Sequence, residues 1–534
     1  MENIEKVNNA KLMPINAILN KYGISDDYII NYGKYIAKID IDNLKNTKTG
    51  KLILVTSISP TIYGEGKTTT AIGLVDALNK LDKNAVAILR EPALGPVFGT
   101  KGGATGGGCA KVIPSDDINL HFTGDMSAIC TANNLLCAII DNHIFQGNEL
   151  KIKNVVLPRT IDINDRALRN ITINSSYNRE DHFILTVASE LMACVCLASD
   201  FKELKEMVAN MIVAYNDTGK PIYTKDLQAV EAVCILLKET IKPNAVQTLE
   251  HNLAIIHGGP FANIAHGTAT VRAIKTGLEN FSYSVVEAGF GSDLGAEKFF
   301  DIVCPKGNFY PDVVILNATI RALKYNGQGN LKEGLANLQA HIDNMLNFSQ
   351  NIIVSLNKFT DDSIEDINIV KDYVKKQGLE FAINDTYSKG SKGGLELAQK
   401  TILLSNDGNK KIVKLYNDNL KIKEKILALA KKVYHANEVV YSKEAEEKIK
   451  ALEALKLDKY PICVSKTPMS ISDNKELLGY PKDFMMHVTD IKLNRGAGFI
   501  VVLMGNVITL PGLNKNSNYL KMHIDDNGNI KELM

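Results

Sequence analysis

The sequence has neither a charge imbalance nor a long apolar run. Its 61 Lys and Arg residues against 60 Asp and Glu residues give a net charge of +1. The sequence therefore lacks the excess of basic residues that is typical of proteins binding nucleic acid or an anionic membrane surface. The most apolar stretch, residues 498–510, is interrupted by Gly505 and Asn506 and is too short to span a bilayer. It predicts a core strand instead.

Residues 1–19 mix Glu, Lys and Asn with isolated apolar residues, unlike a signal peptide. We therefore expect a cytoplasmic protein with no nucleic-acid or membrane partner.

Tryptophan is absent and cysteine is sparse. None of the eight cysteines stands in a C-x-x-C pair, which predicts reduced, buried and inert thiols. A metal site built on Cys194 and Cys196 would need a second pair of ligands, and the sequence offers no such pair. We reject that site. With 45% hydrophobic and 23% charged residues, the composition is that of a globular protein.

A strand, a loop, a helix and a second strand follow one another after residue 50. Residues 52–58 form a short β-branched run, which is typical of a buried parallel strand. A Gly-containing loop follows, then helical spacing over 68–81 and a further apolar run at 85–89. This order is that of a βαβ unit. Later strands are predicted at 254–256, 284–286, 313–316 and 352–356.

The whole pattern predicts an α/β fold with a mostly parallel sheet flanked by helices. We expect the opening segment to about Asp42 to be helical, residues 417–455 to be strongly helical, and a small β-rich unit to begin at Pro461. At 534 residues the chain is too long for one core and should hold about three or four units.

The loop after the first predicted strand matches a phosphate-binding pattern. Residues 59–70 read SPTIYGEGKTTT and depart from the Walker pattern G-x-x-x-x-G-K-S/T only at Thr61. In such loops backbone N–H groups converge on phosphate oxygens, and the helix N-terminus adds positive potential. Lys67 is then expected to reach the β- and γ-phosphates, and the Thr68 hydroxyl to ligate Mg²⁺.

The alternative is a surface turn that caps a helix, but the strand before the loop and the helix after it favour phosphate. The predicted fold is therefore P-loop NTPase-like. The predicted nucleotide-binding residues of the loop are Thr61, Ile62, Tyr63, Gly64, Glu65, Gly66, Lys67 and Thr68.

ATP is the predicted nucleotide. Guanine-specific proteins carry N-K-x-D after a late strand, whereas Asn357-Lys358-Phe359 is followed here by Thr360. Two other classes of protein compete with an ATP-dependent enzyme that activates a small substrate. ATPases of the nitrogenase-iron-protein and partition type share G-K-T-T-T but carry an additional Lys at the start of the loop. A non-enzymatic nucleotide switch would carry an intact N-K-x-D.

Glycine is dense a little further along the chain. Residues 99–108 read GTKGGATGGG, and because glycine loses the most conformational freedom on folding, this run favours a loop wrapped closely around an anion. Arg90 stands at the carboxyl end of a predicted strand, where open α/β sheets bind ligands. Its planar fork suits a carboxylate or a phosphate.

Two more glycine-bearing turns follow later strands, at 257–267 and 287–295. Glu287, acidic at the end of an apolar strand, has the position of a Walker-B carboxylate. For His257 and His266, a role in turn and cap hydrogen bonding competes with a functional role.

Over essentially its full length the sequence resembles one family, the formate–tetrahydrofolate ligases, also called formyltetrahydrofolate synthetases. The resemblance rests on many segments rather than on one loop. They are 59–70, 89–108, 117–125, 162–169, 242–250, 257–267, 287–300, 461–467, 496–501 and 510–513.

The resemblance implies a two-step reaction. Formate attacks the γ-phosphorus of MgATP to give formyl phosphate and ADP. N10 of tetrahydrofolate then attacks the formyl carbon and releases phosphate. In this scheme Lys67 and Arg90 are the catalytic residues, with Arg90 binding formate and formyl phosphate, and Glu287 belongs to the nucleotide site.

The resemblance also implies that Phe359 and Tyr387 sandwich the pterin of the folate. The family usually has Trp at the second of these positions and His at the position of Ser127, so this sequence departs from it twice. A homotetramer is implied as well, and a monovalent cation is left open as a further cofactor. The domains expected are an ATP-binding domain over 1–345, an α/β domain contributing to the folate pocket over 346–455, and a small β-rich domain over 456–534.

Overall fold

The computed structural model describes residues 11–44, 49–61, 64–100, 103–174, 178–408, 413–505, 507–531 and 533. Its strands, numbered in chain order, are β1 (Ile29–Asn31), β2 (Ala37–Ile39), β3 (Lys51–Ser57), β4 (Ala85–Leu89), β5 (Gly106–Gly107), β6 (Ala110–Ile113), β7 (Ile152–Val155), β8 (Arg159–Ile161), β9 (Ile171–Asn174), β10 (Asn178–Asp181), β11 (Phe183–Leu185), β12 (Ile212–Asn216), β13 (Pro221–Tyr223), β14 (Asn244–Thr248), β15 (Leu253–Ile256), β16 (Tyr283–Glu287), β17 (Val313–Ala318), β18 (Ile352–Asn357), β19 (Glu380–Asn384), β20 (Glu438–Tyr441), β21 (Ile462–Ser465), β22 (Met485–Asn494), β23 (Phe499–Met504), β24 (His523–Ile524) and β25 (Ile530–Lys531).

Helices lie between most of these strands. The α-helices are α1 (Ile15–Lys21), α2 (Lys67–Lys80), α3 (Leu94–Phe98), α4 (Ser115–Asn119), α5 (Asp125–Phe145), α6 (Glu190–Leu197), α7 (Phe201–Ala209), α8 (Val230–Leu236), α9 (Val271–Asn280), α10 (Cys304–Gly307), α11 (Ile320–Asn326), α12 (Leu331–Leu346), α13 (Ile364–Lys376), α14 (Thr386–Lys389), α15 (Leu395–Ser405), α16 (Ile422–Lys432) and α17 (Lys443–Ala454). Two π-helical turns, Ser292–Ala296 and Phe299–Val303, follow β16.

The main sheet runs in the order β1-β2-β14-β15-β4-β16-β3-β17-β18-β19, with β6 attached to β14 and β5 to β6. From β15 to β19 every neighbouring pair is parallel, whereas β1, β2, β14 and β15 pair antiparallel. The predicted α/β fold with a mostly parallel sheet is confirmed. All the strands predicted between residues 52 and 356 are present within a residue or two.

The sheet is buried on both faces, which explains why its strands read as continuous apolar runs. In β3, Leu52 and Leu54 point into one hydrophobic cluster and Ile53 and Val55 into another. Helix α2 packs on the second face and is buried almost all round from Thr69 to Leu78, as expected for a helix that is covered on its outer side as well.

Two predictions about helical segments are wrong in part. Within the described residues, the opening segment is helical only at Ile15–Lys21, and β1 and β2 follow. Residues 29–39 carry Ile and Tyr on both sides of Gly33, whose φ of +82° lies in the turn of a hairpin. Likewise the segment 417–455 contains β20, whose Val439, Val440 and Tyr441 fit a half-buried sheet surface better than a helix.

The β-rich tail is confirmed, because β21, β22 and β23 all follow residue 461. Together with the earlier strand β20 they form a four-stranded sheet in the order β20-β22-β23-β21, and β23 lies inside the predicted core strand at 498–510. The main sheet continues through β18 and β19, beyond residue 345. The predicted domain boundaries stay a prediction.

In the part of the chain that the structure describes, no helix has both the length and the hydropathy that a membrane span would require.

Candidate active site

The polar side chains singled out in the sequence meet at the carboxyl edge of the main sheet. The 58–66 loop follows β3, Arg90 follows β4, and Glu287 ends β16. These three strands are adjacent, with β16 between the other two. Because parallel strands deliver their carboxyl ends to one edge, residues far apart in the sequence converge there.

The 58–66 loop is held in shape from inside by Glu65, which is 2% exposed. Its Oε1 accepts hydrogen bonds from the Thr61 amide (2.7 Å) and hydroxyl (2.9 Å). Its Oε2 accepts one from the Thr319 hydroxyl at 2.6 Å. These bonds join Thr61 to Glu65 and tie Glu65 to the residue that follows β17. Ile62 and Tyr63, which were predicted to bind the nucleotide, lie outside the described residues.

Backbone conformation and close packing explain why glycine occupies positions 64 and 66 of this loop. Gly64 and Gly66 have φ of +78° and +67°, a region that favours glycine. A β-carbon at Gly66 would also lie 2.3 Å from Asn357 Nδ2. Asn357, which begins the N-K-F-T sequence, thus packs against the loop, and its Nδ2 donates to the Glu65 carbonyl at 3.4 Å.

Lys67 is the first residue of α2, and its Nζ donates to Ser57 Oγ at 3.2 Å. The pKa of Lys67 is lowered to about 8, mainly by burial and to a smaller extent by the charge of Arg90. The carboxylates of Glu287 and Glu65 act in the opposite direction. The ammonium therefore lies among the two carboxylates and the guanidinium that the sequence placed in the site.

Thr68 and Arg90 both approach Glu287, whose side chain is 3% exposed. The Thr68 hydroxyl donates to Glu287 Oε2 at 2.6 Å, and Arg90 Nε lies 3.8 Å from Glu287 Oε1. A hydroxyl next to a carboxylate is an all-oxygen donor set, which is what Mg²⁺ prefers. The residues present therefore fit a magnesium ion.

Gly289, in the turn after β16, leaves room both for the Arg90 guanidinium and for Ala262 of the turn after β15. A β-carbon at Gly289 would lie 2.9 Å from Arg90 Nη1 and 2.5 Å from the Ala262 β-carbon. The two histidines of the turn after β15 differ. His257 bonds the Thr270 hydroxyl and the Thr240 carbonyl, both at 2.7 Å, which confirms its structural interpretation.

His266 does not repeat the pattern of His257. Among the described residues neither of its ring nitrogens has a hydrogen-bond partner. Its pKa is lowered to about 3, mainly by burial and then by the charges of Arg90 and Lys298. The ring is therefore neutral at pH 7, and the cap interpretation does not hold for it.

Phe359 and Tyr387 follow the neighbouring strands β18 and β19. The Arg321 guanidinium lies over the Phe359 ring, 4.6 Å from its centroid, and its Nη2 reaches the Gly64 carbonyl at 3.3 Å. Tyr387 is 50% exposed. A β-carbon at Gly107 would lie 3.1 Å from Tyr387 Cε2. Part of the glycine run thus makes room for an aromatic ring, a reason that the anion interpretation did not include.

Sequence reasoning missed the polar residues that support the loop from β17. The Asn317 amide donates to the Glu65 carbonyl at 2.8 Å, and Thr319 contacts the Glu65 carboxylate. The signal was available, since the polar sequence Asn317-Ala318-Thr319 ends an apolar strand. His341, which bonds Ser59 Oγ at 3.0 Å, lies inside helix α12, and nothing in its local sequence marks it.

Ser127, where the sequence departs from the family pattern, lies exposed on the first turn of α5. Two residues earlier, Asp125 is buried and paired with the Lys38 ammonium at 2.8 Å. Of the eight cysteines, six are buried, as predicted, and Cys109 and Cys130 are partly exposed.

The fold and the site together define an α/β protein with a cluster of lysine, arginine, threonine and glutamate at the carboxyl edge of a parallel sheet. A family model described as formate–tetrahydrofolate ligase matches residues 1–534. A formate–tetrahydrofolate ligase of Caldicellulosiruptor saccharolyticus is 49% identical over 552 aligned residues, which cover 99% of this chain and 100% of the relative. The chain belongs to the formate–tetrahydrofolate ligase family, and it is an enzyme.

Proposed function

We propose that this enzyme ligates formate to tetrahydrofolate at the expense of ATP, giving 10-formyltetrahydrofolate, ADP and phosphate through formyl phosphate. The observation that carries the proposal is the meeting of Lys67, Thr68, Arg90 and Glu287 at one sheet edge. A cation for phosphate, a hydroxyl–carboxylate pair for a metal ion and a two-pronged cation for a carboxylate are the groups that this reaction needs.

In this proposal the 58–66 loop and the start of α2 form a P-loop NTPase-like site for the triphosphate, using residues 61–68. The helix has 14 residues, long enough to present its free N–H groups and positive end to an anion. Lys67 extends from its first turn toward the phosphates. Glu65 supports this site by accepting hydrogen bonds from the Thr61 amide and hydroxyl.

Thr68 and Glu287 are the residues that would hold Mg²⁺. When bound with ATP, the ion would neutralise phosphate charge. Charge stabilisation of this kind, together with positioning, is the main source of catalysis in phosphoryl transfer. The direct hydrogen bond between the two side chains keeps both oxygens on one side of the site. The family resemblance also leaves a monovalent cation open as a cofactor.

Arg90 is assigned to formate and then to formyl phosphate. A formate oxygen attacks the γ-phosphorus while the bond from that phosphorus to ADP breaks. N10 of tetrahydrofolate then attacks the formyl carbon, phosphate leaves, and N10 gives up its proton. Arg90 offers a planar fork to the carboxylate in the first step and to the acyl phosphate in the second. Its work is positioning and charge stabilisation.

Phe359 and Tyr387 are assigned to the two faces of the pterin. They follow two neighbouring strands, and Arg321 covers one face of the Phe359 ring. Tyr387 has less ring area than the Trp usual in the family. Stacking a base-like ring on an aromatic side chain is worth about 1–3 kcal/mol. The resemblance further supports a homotetramer and a cytoplasmic location as parts of the proposal.

The deciding experiment supplies the purified chain with formate, MgATP and tetrahydrofolate and omits each in turn. We expect 10-formyltetrahydrofolate only when all three are present. ATP hydrolysis that ignores formate would instead identify an ATPase of the partition type. Nucleotide binding without turnover in any mixture would identify a switch.

A further inference from the structure

The segment that carries Tyr387 is fastened at several points. The Tyr387 carbonyl accepts a hydrogen bond from the Cys109 amide at 2.8 Å, and Thr386 packs against Gly73 of α2. Beyond Tyr387, the chain continues through Gly390 into a short 3-10 turn, Gly390–Gly394. That part is held by a side chain from a distant turn: Glu250 Oε1 accepts a hydrogen bond from the Ser391 amide at 2.7 Å.

Glu250 lies in the turn between β14 and β15, and this turn is anchored firmly. The Thr248 hydroxyl donates to Asp76 Oδ1 at 2.6 Å, and Asn252 Nδ2 donates to the same oxygen at 2.8 Å. Asp76 is a buried residue of α2. The Leu249 amide also bonds the Lys111 carbonyl at 3.0 Å. Glu250 therefore projects from a turn that is fixed to α2, the helix that follows the 58–66 loop.

The approach of the two segments is as close as glycine permits. Gly390 has a φ of +56°, and a β-carbon there would lie 2.6 Å from Glu250 Oε1. A larger residue would be strained by its backbone conformation and would push the carboxylate away. The Tyr387 segment is thus shaped to receive this carboxylate.

We propose that Glu250 is a positioning residue for tetrahydrofolate: by holding the Ser391 amide, it fixes the segment so that the exposed side of the Tyr387 ring faces the pterin. The inference rests on the proposed function of Tyr387. A carboxylate that accepts from a backbone N–H makes a charge-assisted bond, stronger than a neutral one. Glu250 acts on the folate step, because the hydrogen bond of its side chain goes to the Tyr387 segment and not to Arg90 or Lys67.

The test compares Glu250→Ala, Glu250→Gln, Tyr387→Ala and the Glu250→Ala/Tyr387→Ala double variant by steady-state kinetics for all three substrates. We expect Glu250→Ala to raise KM for tetrahydrofolate about 5–10-fold, the scale of one ordinary hydrogen bond lost. Formate-dependent release of ADP without folate should stay unchanged. Glu250→Gln should stay near wild type, since its amide oxygen still accepts from Ser391.

The glutamine variant also separates position from charge, because it removes the negative charge but keeps the acceptor. Glu447→Ala, a change at an exposed carboxylate of α17, is the control for a general loss of surface charge. In the double variant we expect no loss of folate affinity beyond that of Tyr387→Ala, since Glu250 acts through that ring.

The two ideas fail in different ways. An unchanged KM for tetrahydrofolate in Tyr387→Ala would overturn the folate role of Tyr387 and the Glu250 proposal with it. A raised KM in Tyr387→Ala but not in Glu250→Ala would overturn the Glu250 proposal alone. So would losses that multiply in the double variant, or equal losses for folate, formate and ATP.

Discussion

The charge on Lys67 is the most finely balanced feature at the scale of single residues. Burial lowers its pKa to about 8, against the pull of Glu287 and Glu65. The protonated form, which is the one proposed to bind phosphate, is therefore present below about pH 8 in the free enzyme and is lost above it. Since kcat/KM reports the free enzyme, we expect kcat/KM for ATP to fall as the pH rises through 8.

Lys67→Arg checks this assignment, because a guanidinium stays protonated throughout that range. The variant should lose activity at neutral pH but show a flatter alkaline limb in kcat/KM for ATP. Lys80→Arg, at the exposed end of the same helix, is the matched control. If kcat/KM for ATP still falls above pH 8 in Lys67→Arg, the fall is caused by the titration of another group.

Arg90 gives a second prediction, based on shape rather than charge. Arg90→Lys should lose almost as much kcat/KM for formate as Arg90→Ala, about 10²-fold or more, the usual cost of removing one preorganised donor. An ammonium cannot copy a planar fork, and Gly289 leaves room beside Nη1 for that fork. Nucleotide affinity measured without formate should change little. A lysine variant with wild-type formate kinetics would reduce Arg90 to an ion-pair partner of Glu287.

Local motifs predicted the residues that meet at the edge of the sheet, but not those that support them. Arg90 and Glu287 stand at strand ends, and Lys67 and Thr68 begin the helix that follows β3, so the sequence alone predicted that these side chains come together. The bond from Thr319 to Glu65 spans 254 residues. It depends on the order of strands in the sheet, which the sequence pattern does not determine.

At the scale of elements, the long apolar runs were predictable and the short half-buried strands were not. Strand β3 is buried on both faces and reads as strand from its composition. Strands β1 and β20 have only three and four residues, and their mixed polarity fits a helix equally well in sequence. These two segments are strands because they pair with neighbouring strands in the folded protein, and local propensity does not predict that pairing.

Helix α2 contains a buried carboxyl group, and this gives a prediction about stability. Burial raises the pKa of Asp76 from 3.8 to about 7, although hydrogen bonds from Asn252 and Thr248 oppose the shift. The folded state therefore keeps a proton that the unfolded chain releases. The stability that this group provides is greatest below pH 4 and is lost as the pH rises toward 7.

Asp76→Asn keeps the acceptor for Thr248 and Asn252 but cannot ionise. Between pH 5 and pH 8, we expect the free energy of unfolding of the variant to increase relative to that of the wild type by an amount on the order of 1–3 kcal/mol. Thermal denaturation at both pH values measures the difference. Asp82→Asn, an exposed change just after α2, is the control. A difference that does not grow with pH would contradict the raised pKa.

At the scale of the whole molecule, a buried polar chain joins the 58–66 loop to the C-terminal sheet. Ser59 bonds His341 Nε2, and His341 Nδ1 bonds the Ser292 hydroxyl at 2.7 Å. The next residue, Asp293, is paired with the Lys466 ammonium at 2.7 Å, and the two side chains are 1% and 0% exposed. Burial lowers the pKa of His341 to about 4, so the ring is neutral at pH 7. Lys466 immediately follows β21.

This connection predicts that the C-terminal sheet and the active site are stabilised together. Lys466→Met would leave Asp293 charged and buried without its partner. Breaking such a pair typically costs about 3–5 kcal/mol, so we expect a loss of that size in the unfolding transition that includes the C-terminal sheet. KM for ATP should also rise, because Asp293 adjoins the series of hydrogen-bonded side chains that ends at the 58–66 loop.

Lys475→Met is the control, because it removes a lysine whose only ion pair among the described residues is with exposed Glu476. It should change neither property measurably, since exposed pairs contribute little. Urea denaturation and ATP kinetics on both variants decide the matter. If Lys466→Met and Lys475→Met change stability and ATP kinetics equally, the buried pair does not link the C-terminal sheet to the 58–66 loop.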